Sequence, residues 1–229
     1  MNDTLLSALA LIPALVFAIV FHEVSHGYVA KLLGDPTASE QRRLSLNPIR
    51  HIDLFGTIIL PGLLALSGAP VFGWAKPVPV SKWRLRNPRT GMMAVAAAGP
   101  GSNLVLAAAG AVLLGLLARH LTVPPEGVVA LLVASLHFFI LINVFLALFN
   151  LLPIPPFDGS HIVEGLLPRT AARQYEKLRP FGFPLLFFLL LVVPLLFPGL
   201  GIVEKLVIPP VEWATSHYMA LAEKIAGLP

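Results

Sequence analysis

Cysteine is absent from the 229-residue chain. That excludes a disulfide framework, a thiolate metal site and a cysteine nucleophile, so any metal must rest on His, Asp or Glu. Charge is scarce too. Asp, Glu, Lys and Arg make up 12% of residues, against roughly 25% in an ordinary soluble domain. With 56% hydrophobic residues, this composition points to a membrane protein. No polar stretch is long enough for a second globular core. One membrane-embedded domain is expected over 1–229, with a core over about 5–162 and C-terminal helices over about 181–227. The net charge of +4 gives no sign of a nucleic-acid partner, because the basic residues lie in loops between apolar runs, where topology accounts for them.

Runs long enough to cross a bilayer, about 20 residues, occur at Leu5 to Leu33, Met92 to Ala118, Val128 to Leu152 and Phe181 to roughly Val207. A shorter run, Leu54 to Ala69, is broken by Gly56, Pro61 and Gly62. The first run lacks a preceding Lys or Arg and a cleavage pattern, so it is expected to remain in the mature protein. With the N-terminus outside and the short run dipping in and returning, 13 of the 16 Lys and Arg residues fall on the cytoplasmic side. The expected fold is therefore an all-α polytopic membrane protein with about four to six transmembrane helices. It includes a re-entrant segment at Leu54 to Ala69. Short edge strands are expected at Arg43 to Leu46 and Val71 to Val80, where apolar residues alternate and Pro77 and Pro79 suit only an edge. Val211 to Ala226 has the spacing of an amphipathic helix at the lipid headgroups.

Chemistry concentrates in the first run, at His22-Glu23-Val24-Ser25-His26. Ionisable groups inside a spanning helix are costly and mark function by default. His22 and His26 stand at i and i+4 on one helix face, where both imidazoles reach one Zn²⁺. Glu23 lies about 100° around the helix, placed to act on a water beside the metal without being a ligand. The bland alternative is a chance HExxH whose histidines bond to a neighbouring helix. Ser25 lacks the oriented base of a serine nucleophile.

A zinc hydrolase needs a third protein ligand. Asn150-Leu151-Leu152-Pro153-Ile154-Pro155-Pro156-Phe157-Asp158-Gly159 is the best source, because its prolines prevent a regular helix and free Asp158 to point back into the protein. Alternatively, Asp158 simply caps the helix that follows. Topology brings the pieces together: His26 lies roughly 10 Å by helical rise from the inner end of the first crossing, and the third crossing delivers Asp158 to the same side. The second places Gly99-Pro100-Gly101-Ser102-Asn103 about as deep.

HEVSH in an apolar helix, GPGSN opening a later one and NLLPIPPFDG closing another resemble the site-2 proteases, intramembrane zinc metalloproteases. GDPTA, LNPIRHID and FGWAKPVPV resemble their compact prokaryotic branch, so the resemblance spans roughly Phe17 to Ile162. It implies one zinc held by His22, His26 and Asp158, with Glu23 as catalytic base. Asn150 and the prolines after it, Pro153 and Pro155, would help to position substrate. The implied substrates are transmembrane segments of membrane proteins, cleaved in the bilayer of the cell membrane with the active site towards the cytoplasm. No PDZ-like or nucleotide-binding insertion of the larger relatives is present.

Other polar groups carry alternatives. Asn150 and Asn103 suit either oxyanion donation or the repair of backbone groups freed near proline and glycine. His51 and Asp53 suit water-exposed or capping roles, His137 should lie near the outer side, and His161 and Glu164 should face the cytoplasm. Substrate augmentation of a strand at Val71 to Val80 is a further expectation. The rival functions are a metal-handling transporter, disfavoured by the lack of paired repeats, and a catalytically silent membrane adaptor. Oligomeric state has no signature.

Overall fold

A computed structural model describes residues 3–68, 71–197, 200–201 and 205–227, with residues 3–6 as backbone alone. Ala69 of the short apolar run and 198–199 and 202–204 of the last run lie outside the described residues. The helices are α1 (Asp3–Leu32), α2 (Thr37–Glu40), α3 (Leu60–Ser67), α4 (Pro88–Ala118) and α5 (Gly127–Asn150). They are followed by α6 (Asp158–Leu166), α7 (Arg169–Glu176), α8 (Gly182–Phe187), α9 (Val193–Leu196) and α10 (Ile208–Ala226). Among the described residues, four stretches are long and apolar enough to cross a membrane: Ser7–Leu32, Pro88–Ala118, Gly127–Asn150 and Arg169–Leu196. The last crossing differs from the expected Phe181 to Val207, because helix begins earlier in the polar α7 and stops at Leu196.

Local chemistry sets the boundaries. Asn87 caps α4, its side chain accepting from the N–H groups of Arg89 and Thr90, and Pro88 occupies the first turn, where a missing N–H costs nothing. Glycine and alanine along α4 let its neighbours come close, as lipid-embedded packing favours. A Cβ at Gly110 would lie 3.0 Å from the Phe139 ring of α5, and one at Gly115 would lie 2.5 Å from Ala222 O of α10. Ala107, Ala111 and Leu114 thus form a core with Ile140 and Val144 of α5 and Val211 and Ala222 of α10. The amphipathic pattern of α10 is spent on this contact: Val211, Thr215 and Ala222 are buried, while Trp213 stays exposed.

The two edge strands are absent among the described residues. Val71 to Val80 is extended but has no strand beside it. In an extended chain alternate N–H groups point the same way, and those of Trp74, Lys76 and Val78 go to Gly56 O at 3.1 Å, His51 O at 2.8 Å and Glu23 Oε2 at 2.8 Å. The opposite edge carries Pro77 and Pro79, which donate nothing. The donors of one edge are thus used within the chain, and on the other edge Gly73 and Ala75 keep an N–H beside the two prolines. Arg43 to Leu46 is likewise unpaired, and Arg43 instead donates to Lys76 O at 2.8 Å.

The re-entrant reading of the short run is also not supported. Leu54–Ser67 forms one helical stretch, π-helical over Leu54–Ile59 and α-helical thereafter, ending at Gly68 with φ 71°. Asp53 caps it, accepting from Gly56 N at 2.7 Å. His51 is not water-exposed. It is buried, with Nε2 2.7 Å from Ser45 O.

Candidate metal centre

Two faces of α1 build the centre. His22 and His26 face α4, whereas Glu23 and Gly27, again four residues apart, face the extended strap. At Gly27 a Cβ would lie 2.8 Å from Val78 Cγ1, so the absent side chain lets the strap approach beside Glu23. Val78 N–H holds one oxygen of that carboxylate, leaving the other unengaged by any described hydrogen bond.

His22 is buried, with Nδ1 2.6 Å from Asn103 Oδ1 and Nε2 3.1 Å from Asp158 Oδ2. His26 is buried, with Nδ1 2.7 Å from Val95 O and Nε2 3.3 Å from the same Asp158 oxygen. In each ring Nδ1 faces an acceptor, so a neutral ring that offers Nε2 to a metal carries its proton on Nδ1. One ligand atom from each of His22, His26 and Asp158 lies within 4.8 Å of the others. Two imidazoles and a carboxylate form a zinc donor set that leaves a fourth position open, and the outward bond from each Nδ1 is what orients a metal-binding histidine. Room is provided by Gly99, where a Cβ would lie 2.5 Å from His26 Nε2 and 2.6 Å from His22 Nε2. These residues fit a zinc ion.

Asp158 does not act as a cap. Phe157 occupies that position of α6 without a side-chain capping bond, and the Asp158 carboxylate turns to the histidines instead. Its loop is braced from outside: Tyr175 OH donates to Pro153 O at 2.5 Å, and Gly182 packs closely on Pro155. Gly159 is required by a close approach, since a Cβ there would lie 2.2 Å from Leu151 O. Below it, Glu164 accepts from Lys82 Nζ at 2.9 Å and from Arg179. Burial and the Arg179 guanidinium push His161 down to about 4, so its neutral ring accepts from Arg179 at 2.8 Å.

The remaining site candidates fall elsewhere. Asn150 donates to Leu146 O of its own helix at 2.9 Å. Asn103 spends both amide protons away from the open position, on Ala18 O at 3.2 Å and Asn143 Oδ1 at 2.7 Å. Ser25 donates to Phe21 O at 2.7 Å, and His137 is exposed beside Phe138. Sequence reasoning missed Asn143, and it placed Gly99 at the depth of the site without giving it a role. An asparagine inside an apolar run was the available signal for the first; for the second, the motif gave the place but not the close approach of the two imidazoles.

Residues 10–193 match Peptidase family M50. The "Putative zinc metalloprotease YwhC" of Bacillus subtilis is 41% identical over 202 residues, covering 85% of this chain and 87% of the relative. The "Putative zinc metalloprotease Rip2" of Mycolicibacterium smegmatis is 30% identical over 181 residues, 79% of this chain and 66% of the relative. Its namesake from Mycobacterium tuberculosis strain H37Rv is 30% identical over 175 residues, 76% and 63% respectively. No solved structure matches the chain.

Proposed function

Because the chain belongs to peptidase family M50, the site-2 protease family, and is an intramembrane zinc metalloprotease, we propose that His22, His26 and Asp158 hold its zinc and that Glu23 is its catalytic base. The observation that carries this is the meeting of one atom each from His22 and His26 of α1 and Asp158 of α6 within 4.8 Å, with Glu23 next to His22 on α1. A bound zinc ion supplies Lewis acidity, polarising a carbonyl and making water more acidic. Glu23, steadied by Val78 N–H, accepts the proton of the attacking water on its free oxygen and returns it to the leaving amine. The substrate's scissile carbonyl is tied up in helical hydrogen bonds, so its span must unwind locally before it reaches Glu23.

The chain is a multi-pass membrane protein acting on membrane proteins. The finer reading is that the centre opens towards the cytoplasm. Lys76 N–H donates to His51 O and so keeps both flanks of Leu54–Ser67 on one side, and 13 of 16 basic residues then lie inside. In the same reading, cleavage falls within or next to a substrate's transmembrane segment. All 229 residues form a single embedded domain in this reading. Asn150, Pro153 and Pro155 serve by shaping the loop that delivers Asp158, and Asn103 by orienting His22. With the full donor set in place, neither the adaptor nor the transporter reading has an observation in its favour.

The test is cleavage in liposomes of a single-pass protein with a Gly-Pro pair midway along its span. Glu23→Gln should slow cleavage about 10²- to 10⁴-fold while zinc is retained. Undiminished cleavage would remove Glu23 from the mechanism.

A further inference from the structure

Asn143 lies in α5, outside every motif quoted above, yet it is fully buried in a hydrogen-bonded line that ends on the metal cluster. We propose that Asn143 is a positioning residue for the metal: through Asn103 it fixes the tautomer and ring orientation of His22. The proposal rests on His22 being a ligand.

Two backbone carbonyls give the line its direction, because a carbonyl can only accept. Asn143 Nδ2 donates to Phe139 O at 2.8 Å, which turns its Oδ1 towards α4. Asn103 Nδ2 donates to that oxygen at 2.7 Å and to Ala18 O at 3.2 Å. Asn103 Oδ1 is thereby turned to His22 and receives Nδ1–H at 2.6 Å. With its proton on Nδ1, His22 offers Nε2 to the metal, beside Asp158 Oδ2 at 3.1 Å.

The two histidines are held differently, and that difference explains the second asparagine. His26 donates straight to the Val95 carbonyl, whose oxygen cannot exchange places with a donor. His22 instead depends on a carboxamide, and a carboxamide can flip to present NH₂ where oxygen is needed. Of the two bonds that prevent the flip, the one to Asn143 is the shorter, 2.7 Å against 3.2 Å. Neither asparagine is exposed, and polar side chains persist inside a bundle where they have partners and a role.

The test uses the full detergent-solubilised chain and zinc alone, with affinity read by chelator competition and ligand geometry by the visible absorption of the cobalt-substituted protein. Asn143→Ala and Asn143→Leu should each weaken zinc about tenfold and alter the cobalt spectrum. Asn143→Gln, which keeps a carboxamide able to donate to Phe139 O and to accept from Asn103, should restore both. In an Asn103→Ala background, Asn143→Ala should have no further effect. Unchanged zinc affinity in the Ala and Leu variants would overturn the proposal, as would an equal effect of Asn143→Ala in both backgrounds. Unfolding of the metal-free chain in all three variants would also overturn it, since that marks a merely structural residue. His22→Ala in the same assay separates the two readings: if it leaves zinc affinity intact, the ligand assignment has failed rather than the relay alone.

Discussion

A single methyl group at Gly99 would collide with Nε2 of both His22 and His26, so Gly99→Ala tests the proposed cradle without altering a donor. Alanine favours a helix over glycine by about 1 kcal/mol. That gain is set against the cost of pushing two buried imidazoles aside, so the deciding readout is zinc affinity, which should fall about tenfold or more, measured by chelator competition beside thermal unfolding of the same sample. Equal zinc affinity would mean that the histidines have room the structure denies them. The asparagine pair makes the opposite point about energy. Interhelical hydrogen bonds in membranes average about 0.6 kcal/mol, so the Asn103–Asn143 bond matters more for orientation than for stability. His22, Glu23 and His26 were legible because the helix repeat alone places i and i+4 on one face. Asn143 was not, because its link to Asn103 spans 40 residues and arises only when α4 and α5 pack.

The strap is the element that sequence periodicity misread. Alternating apolar residues describe an extended chain, but a ladder also needs a neighbouring strand, and here the donors go to Gly56, His51 and Glu23. The strap is tied at its end by Asp35, fully buried, which accepts from Ser81 N at 2.5 Å and from Thr37. Burial alone would raise the Asp35 carboxyl, but the Thr37 and Ser81 hydrogen bonds and the Arg84 charge hold it below its ordinary value of 3.8. A depressed carboxyl stabilises the fold above its unfolded pKa, and that contribution is lost as pH falls through the lower folded value. Asp35→Asn should therefore lower the melting temperature at pH 7, and the gap from wild type should narrow as pH drops below 3.8. A gap independent of pH would show that Asp35 contributes through packing rather than charge. The loop carrying Asp158 was read more successfully, since three prolines in four positions forbid helix whatever surrounds them. Its outer brace, Tyr175 on Pro153, left no trace in the sequence.

Across the molecule, the four stretches long and apolar enough to cross a membrane among the described residues were legible from run length, whereas the start of the fourth was not, because α7 is helical but polar. Orientation can be tested directly in a chain without cysteine, where any introduced thiol is the only one. Arg86→Cys and Arg173→Cys should react with a membrane-impermeant maleimide only after the inner face is opened, and Arg119→Cys in intact cells. The reverse pattern would put the centre on the outer side. The central claim is the three-ligand zinc centre itself, and metal content of the purified full chain tests it most directly. Wild type and Glu23→Gln should each hold about one zinc per chain and Asp158→Ala much less; zinc retained undiminished in Asp158→Ala would contradict the account.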